Sequence, residues 1–199
     1  MSRNLSNAQR GYTEYLQPKV GTRLASARAV NLDIHAKHCF EVARYLRPKG
    51  KGDSMKWMSA GDALEFLEDV IKIENENPRV KNKAKAVPYR KGSGNKFRNR
   101  NGPGKVGHRR GKLGPGRYPV KAAKEFIKLI NSAVENARHR FDDVEPMDMF
   151  ITHCAAHRGP IKRGWIPRAR GRATPNNHHR VNLEIFLEDF DFEGDEDEF

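Results

Sequence analysis

An α+β fold is predicted by three segments whose apolar residues recur every three or four positions and two whose apolar residues alternate. The first pattern gives each helix one apolar face and the second gives each strand one, and the two kinds of face bury each other when helices pack on a small antiparallel sheet. At 199 residues, 37% of them hydrophobic, the chain suits a single domain, expected over 1–189 and followed by an acidic tail at 190–199.

The elements follow in chain order. A weakly alternating strand is expected around Leu24 to Leu32. Asp33 then caps a helix from Ile34 to Leu46 with the stripe Ala36, Cys39, Phe40, Ala43 and Leu46, ended by Pro48 and Gly50. A second helix starts at Ser59, where Ser59 and Asp62 match a capping box, and presents Ala63, Phe66, Leu67, Val70 and Ile71 before Pro78 stops it. The third has the longest periodicity. Pro119 suits its first turn, and Ala123, Phe126, Ile127, Ile130, Ala133, Val134 and Ala137 share one face as far as Arg138. Two strands close the domain, Phe150 to Ala156 and Val181 to Leu187. In the second, Val181, Leu183, Ile185 and Leu187 alternate with Asn182, Glu184, Phe186 and Glu188, and the two strands are expected to pair antiparallel.

Net charge narrows the function. The formal charge is +13, yet the last twelve residues hold eight acids and no base, so the rest carries 38 basic residues against 17 acidic ones, a balance of +21. A body so charged repels itself, and a polyanionic partner is the usual reason to tolerate this. The charge is concentrated in two stretches without Asp or Glu. The first, about 79–117, reads as a long glycine-rich basic loop with no apolar face, and it offers Arg90, Lys91, Arg109, Arg110, Lys112 and Arg117 as phosphate ligands. The second, His157 to Arg180, offers Arg158, Lys162, Arg163, Arg168, Arg170 and Arg172. Lysine brings a mobile point charge to phosphate, whereas the planar arginine fork can also stack on an unpaired base. RNA is preferred to DNA, because no helix-turn-helix, zinc-finger or basic-zipper pattern is present and irregular basic extensions suit folded RNA.

Other chemistries fit poorly. Gly102-Pro-Gly-Lys-Val-Gly107 matches a dinucleotide fingerprint by letter, but no strand precedes it and no helix opens from it. His35 with His38, His153 with His157, and His178 with His179 are joined by no cysteine or carboxylate cluster except Cys154 beside His153, whose side chain on a strand points to the opposite face, so neither a metal nor another cofactor is expected. A magnesium-dependent nuclease would need carboxylates near the basic stretches, which contain none. Asp142, Asp143, Glu145 and Asp148 read as a polar loop. Cys39 and Cys154 have no ligand spacing and are expected as buried free thiols. Neither a signal peptide nor a membrane span is visible, so a soluble intracellular protein is expected. Trp57 is assigned to the core, whereas Trp165, flanked by Arg163, Gly164, Ile166 and Pro167, has no core within reach and is expected to contact RNA or a passing ligand.

The third helix, Val120 to Ala137 with Ser132-Ala-x-x-Asn-Ala137, together with Gly159-Pro160 and Pro167-Arg-Ala-Arg-Gly-Arg-Ala173, resembles the universal large-subunit ribosomal protein L-twenty-two family, called L-seventeen in eukaryotes. Gly116-Arg-Tyr-Pro-Val-Lys-Ala-Ala123 is similar to its archaeal and eukaryotic branch. The resemblance implies an α+β body on the outside of the subunit and a long protruding β-hairpin, about 149–188, that runs inward along the nascent-peptide exit tunnel. It implies a structural rather than enzymatic, cytoplasmic role: binding large-subunit rRNA, supporting assembly, and contacting neighbouring ribosomal proteins. It carries rRNA contact onto Arg168, Arg170 and Arg172. It carries tunnel lining and contact with the nascent peptide onto Ile161, Lys162, Arg163, Gly164 and Trp165, taken as the hairpin's tip. The competing classes are a free-standing RNA or chromatin binder and the metal-dependent nuclease.

Overall fold

The computed structural model describes residues 23–49, 56–72, 86–89, 106–108 and 115–189. Its main sheet has three antiparallel strands, with β8 (His178–Asp189) between β1 (Arg23–Leu32) and β5 (Phe150–Lys162). Ala25, Ala27 and Ala29 lie opposite Leu187, Ile185 and Leu183, and from the other side Ile151, Cys154 and Ala156 oppose the same three residues. All the members of this face but Ala29 are buried. Small residues on β1 beside branched residues on β8 allow close approach of the longest helix, α3 (Val120–Arg140), which buries Ala122, Ala123, Phe126, Leu129, Ile130, Ala133, Val134 and Ala137. Side chains of α3 also satisfy the outer strand: Asn136 Nδ2 donates to the Ser26 carbonyl at 2.8 Å and Arg140 to that of Leu24 at 3.4 Å.

The helix starts depend on local chemistry. Ser59 caps α2 (Ala60–Ile71), its Oγ accepting from Asp62 N–H at 3.1 Å. The next two donors of that helix start, Ala60 and Gly61 N–H, reach the carbonyls of Met149 and Met147, and Ile151 N–H reaches Met58, so the α2 entry is stitched to the edge of β5. Asp33 does not cap α1 (Ala36–Leu46): His35 holds the cap position without a side-chain bond, and Asp33 pairs with Arg180 at 3.4 Å. The buried face of α1 is Cys39, Val42, Ala43 and Leu46, which excludes Phe40, 38% exposed, from the stripe expected for it. Trp57, expected in the core, is also 38% exposed. Ile71 and Ile127 pack at the margin of the core rather than inside it. Pro119 stands one residue before α3, and the helix runs two residues past Arg138. Both cysteines are buried and free, and burial pushes each thiol up to about 12.

The first basic stretch is not wholly without apolar contact. A small sheet of order β2 (Val87–Pro88), β4 (Pro115–Arg117), β3 (Val106–His108) forms within it, and Val87 and Tyr89 are buried in the core. Tyr89 hydroxyl and His38 Nδ1 lie 2.5 Å apart, and the Arg117 guanidinium carbon sits 5.1 Å from the Tyr89 ring centre. Burial, then the charges of His35, Arg117 and Lys37, lower the His38 pKa, so its neutral ring takes the tyrosine proton donor. The loop is therefore rooted on α1.

Candidate nucleic-acid interface

Beyond the Arg158–Val181 pair, the last with a buried member, the pairing of β5 with β8 leaves the body and continues as a two-stranded arm. Ile161 faces His179 and Lys162 faces His178. Next, β6 (Trp165–Pro167) faces β7 (Ala173–Pro175) with Trp165 opposite Pro175, Ile166 opposite Thr174 and Pro167 opposite Ala173. Arg168 N–H donates to the Arg172 carbonyl at 2.7 Å and closes the turn, in which Arg170 (φ 60°) and Gly171 (φ 67°) take left-handed conformations. The tip is thus the turn between Arg168 and Arg172. The segment Ile161 to Trp165, expected there, lies on the shaft below it. Its glycine serves a different purpose: Asn176 N–H donates to the Gly164 carbonyl at 2.7 Å, and a Cβ on Gly164 would meet the Asn176 oxygen at 2.8 Å. Gly164→Ala should therefore splay the shaft and weaken rRNA binding several-fold, while leaving thermal unfolding of the free body unchanged. Calorimetry and filter binding on the same preparation check both halves of that expectation.

At ~3.3 Å per residue, the ten or so steps from the Arg158–Val181 pair to the turn project about 35 Å. Arg158, Lys162, Arg163, Arg168, Arg170 and Arg172 are all exposed along this length. Among the described residues none of the six is ion-paired, and the contact that fixes one of them is neutral, Arg168 Nε donating to Thr174 Oγ1 at 3.4 Å. An array of unneutralised guanidinium and ammonium groups on a ribbon without an apolar core of its own attracts phosphates and needs them for rigidity. Arg117 stands apart from the arm, half-buried against Tyr89. Arg90, Lys91, Arg109, Arg110 and Lys112 lie outside the described residues, as does the tail beyond Asp189.

At the arm's base the outer face of the sheet carries an ionic cluster that the alternation of β8 does not announce. Glu184 is only 2% exposed, and its Oε1 accepts from His153 Nε2 at 3.1 Å and from His157 Nε2 at 3.0 Å. Arg28 of β1 is its cross-strand neighbour. Burial alone would raise the Glu184 pKa, but the two imidazole donors overcome it and hold the carboxyl at about 2. Because both Nε2 atoms donate to a carboxylate, they carry protons there and have no lone pair to offer a metal. Beside the cluster, Asn182 is buried too, and its Oδ1 accepts from Asn31 N–H at 2.9 Å, where β1 is irregular and Asn31 has φ 58°. These bonds join the last strand to its neighbours where the arm leaves the body.

A compact α+β body bearing a cationic, acid-free ribbon has the build of a protein that inserts into folded RNA. The sequence profile of the family described as Ribosomal protein L22p/L17e matches residues 27–188, and the chain belongs to that family. Proteins named large ribosomal subunit protein uL22 are similar to it along most of their length. The one from Methanocorpusculum labreanum is 36% identical over 175 residues, covering 88% of this chain and 96% of the relative. That from Methanosphaera stadtmanae is 38% identical over 173 residues, covering 86% and 92%. The Ignicoccus hospitalis protein is 34% identical over 183 residues, covering 89% and 96%.

Proposed function

We propose that this protein is a structural constituent of the large ribosomal subunit in the cytoplasm, bound to its rRNA and to neighbouring ribosomal proteins, and that it catalyses no reaction. The observation that carries this is the arm: six exposed cationic side chains on a ribbon that no apolar layer supports. Membership of a ribosomal protein family supports the same conclusion. On this account the body seats on the outside of the subunit and the arm runs inward between rRNA segments, which favours subunit assembly by tying them together. The shaft residues Ile161, Lys162, Arg163, Gly164 and Trp165 then line the nascent-peptide exit tunnel, and the turn Arg168 to Arg172 reaches furthest.

Sedimentation tests the main claim. In a sucrose gradient of lysate from its own cells at moderate salt, the protein should travel with large subunits. A pool confined to the top of the gradient would instead favour a free-standing RNA binder. For the tunnel, a photo-crosslinker at Ile161 should capture nascent peptide on stalled ribosomes, and capture of rRNA alone would move the shaft out of the lumen.

A further inference from the structure

Trp165 is 70% exposed, the most open large apolar side chain among the described residues, and it stands in the most cationic part of the arm. Directly opposed residues on paired strands point to the same side. Trp165 and Pro175 therefore share one face of the distal ribbon with Pro167 and Ala173, and that face carries no charge. Ile166 and Thr174 lie on the other face, where the Arg168 side chain reaches across to Thr174 Oγ1. The ribbon is two-sided, with an aromatic and proline surface backed by guanidinium groups.

We infer that the Trp165 face is a stacking platform for an unpaired nucleobase of the bound RNA, with Pro175 and Pro167 extending the flat surface and the neighbouring arginines holding the adjoining phosphates. This rests on the ribosomal, RNA-bound role proposed above and deepens it by naming the chemical group that the exposed indole of the shaft engages. Three features select a base over an apolar peptide as occupant. The surroundings contain no carboxylate from His157 to Arg180, so a polyanion is drawn there first. Prolines at two of the four positions have no N–H, so recognition falls to surface contact and π-stacking, which every base offers. Two residues before the indole stands Arg163, exposed and without an acidic partner, near enough in the chain to bind a phosphate flanking a stacked nucleotide.

The full-length protein is titrated with a short oligoadenylate and with an abasic ribose-phosphate polymer of the same length and charge. The wild type should prefer the oligoadenylate by roughly tenfold or more, the range expected for one stacked base. Trp165→Phe should keep most of that preference, and Trp165→Leu, which stays apolar but loses the ring, should abolish it without changing the salt dependence of either polymer. Wild-type preference surviving in Trp165→Leu, or equal binding of both polymers by the wild type, would overturn the stacking platform while leaving the RNA-bound role intact. Failure of both polymers to bind at low salt would remove the RNA-bound role and the platform with it.

Discussion

Glu184→Gln should destabilise the free protein by on the order of 3 kcal/mol near neutral pH, since glutamine keeps the shape of the carboxyl but not the charge that a native pKa of about 2, against an ordinary 4.5, shows to be favoured. The folded pKa is depressed, so the charge stabilises the fold at every pH above the unfolded value and the contribution is lost as pH falls through the folded one. The gap between wild type and variant should thus close progressively as pH falls from 4.5 to 2. Chemical denaturation at a series of pH values measures it. A gap that does not depend on pH would mean that shape, not charge, is what the variant lost. The residue's burial makes the large figure reasonable, because an exposed pair of the same geometry would be screened by water.

The second large effect concerns RNA. Changing Arg168, Arg170 and Arg172 together to alanine should weaken binding to large-subunit rRNA on the order of a hundredfold at low salt, each lost charged contact costing roughly 1 kcal/mol. The slope of log affinity against log salt should fall by roughly 2 to 3, because fewer condensed counterions are released. All three side chains are exposed, and the turn is held by main-chain bonds, so the unfolding of the free protein should be nearly unaffected. Filter binding over a range of salt concentrations checks the slope. An unchanged slope would place the turn away from phosphate.

How legible this was in the sequence differs from element to element. The long helix, the alternating last strand and the Ser59 cap could be read locally, because helix periodicity, strand alternation and a capping hydroxyl act within a few residues. The resemblance puts the tip of the arm at Ile161 to Trp165, whereas the structure uses Gly164 for a close approach to Asn176 and makes the turn at Arg170 and Gly171. Only cross-strand register separates those two uses of glycine. The Glu184 cluster was hidden for a similar reason: alternation assigns Glu184 to the solvent face, and its partners are 27 and 31 residues away. Val87 and Tyr89 escaped notice because two apolar residues in a basic stretch have no period, and only the fold brings α1 to them. Cationic character needs no such register, so the arm's arginines and lysines were visible as candidates from charge alone.

The body should fold by itself and RNA should complete the arm, which amide hydrogen exchange on free protein and on assembled large subunits tests most directly. In the free protein the α3 amides should be strongly protected and those of β6, β7 and the turn should exchange nearly as fast as in an unfolded chain, because an isolated two-stranded ribbon is marginal in water. On the subunit both regions should be protected. Core-like protection of β6 and β7 in the free protein, or their rapid exchange on the subunit, would contradict the account.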